Sequence, residues 1–162
     1  MAAFKILRTN HTSFTVSDID RTIAFFRDAL GFSVVSPKAP RDQKTIQQIT
    51  GVSGADVMIA YLMAPGGHHI ELIEYLAPKD RGSVRPRPCD TGSAHLAFDV
   101  DDIEAAIAAA KEHDVQPIGP TVTNDKGPNA GCKVVYLHDP DGITIEFLQL
   151  PNLDKPEKLH EN

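Results

Sequence analysis

No stretch of the chain approaches the roughly 20 consecutive apolar residues that a membrane helix needs, so a membrane role is not expected. The opening residues, MAAFKILRTNHTS, lack the apolar core of a secretion signal, and a cytoplasmic location is expected. Cysteine is scarce. Cys89 and Cys132 form no CxxC pair and read as two reduced thiols rather than a disulfide or zinc framework. Positive charge is short as well: 16 Lys and Arg stand against 22 Asp and Glu. The net charge of -6 argues against a general nucleic-acid binder and against an anionic-membrane binder. What is present is an ordinary soluble composition, 41% hydrophobic and 23% charged. A chain of 162 residues is long enough for one domain, or for two small modules that share a core.

The sequence repeats itself. Residues 11–20 read HTSFTVSDID and residues 95–104 read HLAFDVDDIE, with His, Phe, Val, Asp and Ile at matching places. Residues 59–72 read IAYLMAPGGHHIEL and residues 134–147 read VVYLHDPDGITIEF, with Tyr, Leu, Pro, Gly, Ile and Glu in common. His95 lies 84 residues beyond His11, and Glu146 lies 75 beyond Glu71, so the second copy is nine residues shorter in its middle. Self-similarity of this kind marks a duplicated structural unit.

Each copy reads as βαβββ, an α+β unit. Lys5–Val16 is a strand whose alternation puts Phe14 and Val16 on one face and His11, Ser13 and Thr15 on the other. A helix from about Asp18 to Leu30 carries Ile19, Ile23, Phe26 and Leu30 on one side, with Ser17 or Asp18 as its cap and Gly31 past its end. Phe32–Ser36 is a second strand and Pro37–Gly54 is irregular or partly helical. Asp56–Met63 and His68–Leu76 form a hairpin around Ala64-Pro65-Gly66-Gly67. In the second copy, Ser93–Val100 is a strand and Asp101 or Asp102 caps a helix to about Asp114, burying Ile103, Ile107 and Ala110. Gln116–Ile118, Val134–Leu137 and Ile143–Leu150 are strands, the last two joined by Asp139-Pro140-Asp141-Gly142. The modules span 1–76 and 93–150, with a Pro-, Gly- and Arg-rich linker at 77–92 and a polar, frayed tail at 151–162.

Alternation places His11, Glu71, His95 and Glu146 mid-strand, on the faces that do not pack on the helices. A carboxylate within an apolar strand is costly unless paired or bound to a metal. Two such carboxylates, related by the symmetry that relates two histidines, point to one shared site for a divalent cation. Two His and two carboxylates suit Zn, Ni, Co, Mn or Fe. Two open positions on such an ion could take two neighbouring oxygens of a small-molecule substrate. The fitting reactions are proton transfers next to a carbonyl, with the cation stabilising an enediolate. The candidate bases are Glu146, Glu71 or a metal-bound water.

The stretches HTSFTVSDIDRTIAFFRDALGF, HHIELIEY, SAHLAFDVDDIEAAI and YLHDPDGITIEFLQL resemble the vicinal oxygen chelate superfamily over roughly residues 5–150. This superfamily includes lactoylglutathione lyases, methylmalonyl-CoA epimerases, extradiol dioxygenases and bleomycin- or fosfomycin-resistance proteins. The resemblance implies one domain in which the paired βαβββ units form a curved, mostly antiparallel mixed sheet around a metal cleft. It implies the same four ligands, with Glu146 as base ahead of Glu71, and a homodimer. The activity it implies is that of a glyoxalase-type lyase, isomerase or epimerase acting on a small oxo or hydroxy acid, a hemithioacetal or an acyl-CoA. Glu71–Tyr75 holds no Asn of the kind lactoylglutathione lyases use for glutathione. Residues 47–52 hold no carboxylate of the kind methylmalonyl-CoA epimerases place before the third strand. The alternatives are a non-catalytic ligand-binding protein of the resistance type and an Fe(II) extradiol-type dioxygenase, which Glu at position 71 disfavours.

Several further residues invite a role. His69 shares the face of Glu71, whereas His138 reads as a surface or turn residue. Arg81, Arg85 and Arg87 read as a solvated linker or as holders of an anionic substrate. Thr121–Lys133 is long enough for a lid. Tyr61 and Tyr136 are symmetry mates and read as strand partners rather than catalysts.

Overall fold

The computed structural model describes residues 3–151, so the tail beyond Pro151 lies outside the described residues. The chain divides into two compact units, Met1–Gly82 and Ser83–Asn162. The first unit contains β1 (Thr12–Val16), α1 (Ile19–Ala24), a π-helical turn (Phe25–Ala29), β2 (Ser33–Pro40), α2 (Gln43–Thr50), β3 (Asp56–Met63) and β4 (His69–Ala77). Its strands lie in the order β1-β4-β3-β2, with β1 parallel to β4 and the other pairs antiparallel. The second contains β5 (His95–Asp99), α3 (Ile103–Lys111), β6 (Gln116–Pro117), β7 (Val122–Thr123), β8 (Lys133–His138) and β9 (Thr144–Gln149). Its order is β5-β9-β8-β6, with β5 parallel to β9 and β7 also paired to β8. Both units are therefore α+β with mixed sheets, and their strand orders match. Among the described residues no helix is long and apolar enough to cross a membrane.

Several elements differ in extent from the sequence expectation. β1 begins at Thr12 instead of Lys5, because its only partner, β4, starts at His69 and the ladder opens at Thr12↔Ile70. Among the described residues, those preceding β1 have no strand to pair with. The expected continuous α-helix to Leu30 changes to a π turn at Phe25. The wider turn lets two consecutive aromatics, Phe25 and Phe26, both face the core. Gly31, at φ 70, then ends the helical run. α3 stops at Lys111, short of Asp114, where the backbone turns left-handed at φ 62. The stretch expected to be irregular or partly helical holds α2, as the second option allowed, and the end of β2, which runs on to Pro40 through two bulges. Asp42 caps α2 by accepting from the Thr45 backbone N–H at 2.8 Å. Asp18 and Asp102 do the same for α1 and α3.

Each sheet has two different faces. In the first unit Ile70 and Leu72 of β4, with Leu62 of β3, are buried on the side where α1 packs. Phe26 is the centre of an aromatic cluster there, with ring centroids 6.5 Å from Phe14 and 5.1 Å from both Phe25 and Phe32. The other face carries His69, Glu71, Ile73 and Tyr75 from β4, opposite Val57, Ile59 and Tyr61 of β3. This face is not free of helix, as the sequence suggested. α2 covers one end of it, packing Ile46 with Ala55, Val57 and Ile59 against Ile73 and Tyr75. In the second unit α3 buries Ile103, Ile107 and Ala110, and Val135, Leu137, Ile145 and Phe147 are buried on β8 and β9.

The two hairpin turns repeat as well. Gly67 and Gly142 have φ 85 and 88. At Gly142 a Cβ would also meet Arg85 Cγ at 2.9 Å, so glycine is required twice over. Asp139 Oδ1 accepts from the backbone N–H groups of Asp141 and Ile143, at 2.9 and 2.7 Å, and closes the DPDG turn.

Phe26→Ala is expected to lower the free energy of unfolding by about 3–5 kcal/mol. The surface change Phe4→Ala should stay within about 0.5 kcal/mol. Denaturant melts monitored by circular dichroism test both values.

Candidate functional site

The parallel pairings decide which side chains meet. In the first unit the β1–β4 ladder sets Ser13 opposite Glu71, and the β3–β4 ladder sets Tyr61 opposite Glu71. Ser13 Oγ donates to Glu71 Oε2 at 2.8 Å, and the Tyr61 hydroxyl donates to Glu71 Oε1. Both carboxylate oxygens are thereby engaged. His11 Nε2 approaches Oε2 at 3.5 Å, and Asn10 Oδ1 lies 2.7 Å from the other ring nitrogen, which orients the imidazole. The His11 ring meets the edge of Tyr61 at 5.9 Å, and the Arg41 guanidinium lies over Tyr61 at 5.9 Å. Burial, and then the bond to Glu71, hold the Tyr61 phenol above its ordinary pKa.

The second unit repeats the pair with fewer supports. His95 Nε2 is 3.0 Å from Glu146 Oε2. Ala97 occupies the register position opposite Glu146 that Ser13 occupies opposite Glu71, and it has no hydroxyl to offer. Tyr136 is paired opposite Glu146, yet its ring tilts against His95 at 5.2 Å. His95 is the only hydrogen-bond or ion-pair partner of Glu146 among the described residues. The Tyr136 phenol is also raised, by burial first and then by the Glu146 charge.

Each unit thus brings together one His and one Glu from the sequence-derived set. The two glutamates lie within β4 and β9 as expected. The histidines do not sit mid-strand: His11 immediately precedes β1 and His95 is the first residue of β5. This position leaves the rings partly exposed, at 32% and 44%, over carboxylates that are 11% and 14% exposed. Among the described residues no group of three or more His, Cys, Asp or Glu able to hold a metal ion occurs. The donor chemistry of each pair nevertheless fits a divalent ion. Two donors bound side by side at metal–ligand distances of about 2.1 Å stand about 3.0–3.4 Å apart, and the observed spacings are 3.0 and 3.5 Å.

The surroundings of the pairs differ. Arg8, Asn10, His11, Tyr61 and His69 line a cavity of about 400 Å³ in the first unit. Ile118, Val122, Val134, Leu148, Tyr136 and Glu146 line one of about 490 Å³ in the second. The arginines of the linker are used locally. Arg81 donates to the Pro78 carbonyl, Arg85 to that of Pro140, and Arg87 pairs with Asp90 at 2.7 Å. The Thr121–Lys133 stretch is tied across its neck, where the Asn124 N–H donates to the Cys132 carbonyl at 2.9 Å and the Gly131 N–H to that of Asn124 at 2.7 Å. His138 is not simply a surface residue. Its Nε2 is buried without a hydrogen-bond partner among the described residues, as is Oγ1 of its strand partner Thr144. The sequence reading missed Ser13 and Tyr61 as carboxylate partners. Alternation placed Ser13 on the right face, and the hairpin register puts Tyr61 opposite Glu71.

Comparison with known proteins agrees with this architecture. Residues 8–147 match the Glyoxalase/Bleomycin resistance protein/Dioxygenase superfamily. The chain belongs to that superfamily. It is 32% identical over 146 residues to a 2-epi-5-epi-valiolone epimerase from Actinomyces sp, covering 88% of this chain and 79% of that protein. It is 29% identical over 145 residues to a lactoylglutathione lyase from Haemophilus influenzae, covering 86% and 90%. A crystal structure of a glyoxalase family protein from Bacillus cereus superimposes with a TM-score of 0.80 at 26% identity, over 93% of this chain and 98% of that one. Enzymes named as epimerase and as lyase therefore occur among its relatives.

The two thiols should behave differently. Cys89 is exposed and Cys132 is buried, with a thiol pKa raised mainly by that burial. Brief alkylation of the native protein at neutral pH is expected to label Cys89 alone by mass spectrometry, and unfolding should expose the second thiol. The folded thiol keeps its proton where the unfolded one has lost it. Stability therefore falls as pH rises past the ordinary thiol range of about 8.5. Cys132→Ala should flatten that alkaline decline in denaturant melts.

Proposed function

We propose that the protein is a divalent-metal-dependent lyase, isomerase or epimerase that moves a proton on a carbon next to a carbonyl. Its substrate is a small oxo or hydroxy acid, a hemithioacetal or an acyl-CoA. The observation that carries this reading is the repeated His–Glu pair at ligand spacing, with unequal restraint on its two carboxylates. His11 and Glu71 from one half and His95 and Glu146 from the other form the ligand set, within one chain or across a homodimer. A divalent ion held there supplies Lewis-acid stabilisation of negative charge on the oxygens beside the reacting carbon.

The chain's own residues divide the remaining work. His11 and His95 present Nε2 toward the carboxylates and would bind the ion through that nitrogen. Glu71, with both oxygens bonded by Ser13 and Tyr61, is fixed in place. Glu146, with His95 as its one hydrogen-bond or ion-pair partner among the described residues, is the less restrained ligand and would be the one to turn, take the proton from the substrate carbon and return it. Partial burial of both carboxylates strengthens their electrostatic action. The names of the two relatives, an epimerase and a lyase, support this reaction class.

Purified protein should retain a divalent ion through desalting, and His95→Ala should lose it, by elemental analysis. The loaded protein should exchange an α-proton of substrate for deuterium, and Glu146→Gln should slow this by about 10²–10⁴-fold. No exchange across 2-hydroxy acids, hemithioacetals and acyl-CoAs would overturn the reading.

A finer test separates the two carboxylates. Ala97→Ser gives Glu146 the hydroxyl that Ser13 gives Glu71. The expected outcome is unchanged or tighter ion retention with slower exchange. Equal exchange rates in Ala97→Ser and wild type would point to Glu71 as the base.

A further inference from the structure

The duplication supplies an internal comparison. Ile59, Tyr61, Glu71 and Ile73 of the first unit correspond, at the constant spacing of 75, to Val134, Tyr136, Glu146 and Leu148 of the second. In the first unit Ile59 and Ile73 lie under α2, packed with Ile46. The second unit has no helix between β6 and β8. Its Val134 and Leu148, with Ile118 and Val122, instead line an open cavity of about 490 Å³ that reaches Glu146. Ile118 and Val122 are 44% and 53% exposed although apolar. Among the described residues, Glu146 is the only charged side chain on the wall.

We infer that this cavity receives the apolar substituent carried by the reacting carbon of the substrate, so that the enzyme favours substrates with an alkyl or aryl arm. The inference deepens the proposed function and rests on Glu146 as the base. Its occupant is identified by three features. The wall is apolar in its larger part, with Asn124 and Asn129 as neutral polar members, and about 490 Å³ lies within the roughly 300–1,000 Å³ of small-molecule sites. The same surface in the sister unit is filled by apolar side chains of this very chain, which shows what the surface accepts. The freer carboxylate borders it, so a substituent lodged there sets the adjoining carbon beside the proton acceptor. An alkyl group in such a pocket gains affinity roughly fourfold per buried methylene.

The test has two arms. In the first, metal-free protein is titrated with benzyl alcohol and followed by amide NMR. Shifts should cluster at Val122, Val134 and Leu148 and disappear in Val122→Phe, which fills the cavity from an exposed strand. Leu148→Phe gives a second, independent filling. Absence of saturable shifts there overturns the inference whatever the metal does. So does a change in self-association of Val122→Phe by sedimentation with no loss of the probe, which would make this face a contact between copies. In the second arm, metal-loaded protein is titrated with glycolate, lactate and 2-hydroxy-4-methylpentanoate. Affinity should rise at least tenfold along the series in wild type and stay flat in Val122→Phe, while ion retention is unchanged. A flat series in wild type overturns the inference. Failure of all three acids to bind while benzyl alcohol still binds would count against the metal reading instead.

Discussion

The structure of the site depends on one constraint, the parallel ladder that joins the first strand of each unit to its last. That ladder fixes residue against residue: Ser13 with Glu71, and Ala97 with Glu146. A shift of one place would turn every side chain to the opposite face and send each carboxylate into the helix-packed core. The apolar face prevents the shift. Ile70 and Leu72, like Ile145 and Phe147, are fully buried, and exposing them would cost about 1.5–3 kcal/mol per side chain. The core therefore holds the polar face in register, and the His–Glu pairs follow from packing on the other side of the sheet.

Much of this was legible in the sequence because it depends on periods of two and on repetition. Alternation placed Glu71 and Glu146 opposite the core residues, and the repeat joined each to a histidine. The caps at Asp18 and Asp102 and the glycines at 31, 67 and 142 are also local signals with local causes. The features that escaped depend on partners distant in sequence. Where β1 begins is decided by where β4 begins, 57 residues later, which the run Lys5–Val16 taken by itself does not show. The π turn is a response to two adjacent aromatics competing for one core, and a 3.6-residue period cannot express it. The helix within Pro37–Gly54, a stretch read as irregular or partly helical, is only eight residues long and mostly polar, with Ile46 its single buried residue, so its bounds were not legible.

The tyrosines show how a site residue can look structural. Tyr61 and Tyr136 occupy matching places, and in isolation each is a large strand residue of a familiar kind. Their roles separate only when the hydroxyls are followed. Tyr61 donates to Glu71, whereas Tyr136 lies against the His95 ring. A hydrogen bond to a charged acceptor contributes more than a neutral one, about 1.5–3 kcal/mol, so the Tyr61 bond adds to that of Ser13 in restraining Glu71, and Glu146 has neither.

The origin of that difference lies in the nine residues by which the copies differ in length. The longer first copy holds α2, and the approach to α2 brings Arg41 over the Tyr61 ring. The cation settles the ring, the ring settles Glu71, and α2 closes the adjoining apolar surface with Ile46. The shorter second copy lacks the helix. Its matching surface stays open and its tyrosine has no such anchor. One change in length therefore has two consequences: a carboxylate with a fixed tyrosine partner in one half, and in the other a carboxylate with fewer partners beside an open, mostly apolar cavity. A symmetric pair of half-sites would give both carboxylates the same freedom. In the reaction proposed above, unequal halves would let one carboxylate keep position while the other moves a proton, the work of a general base.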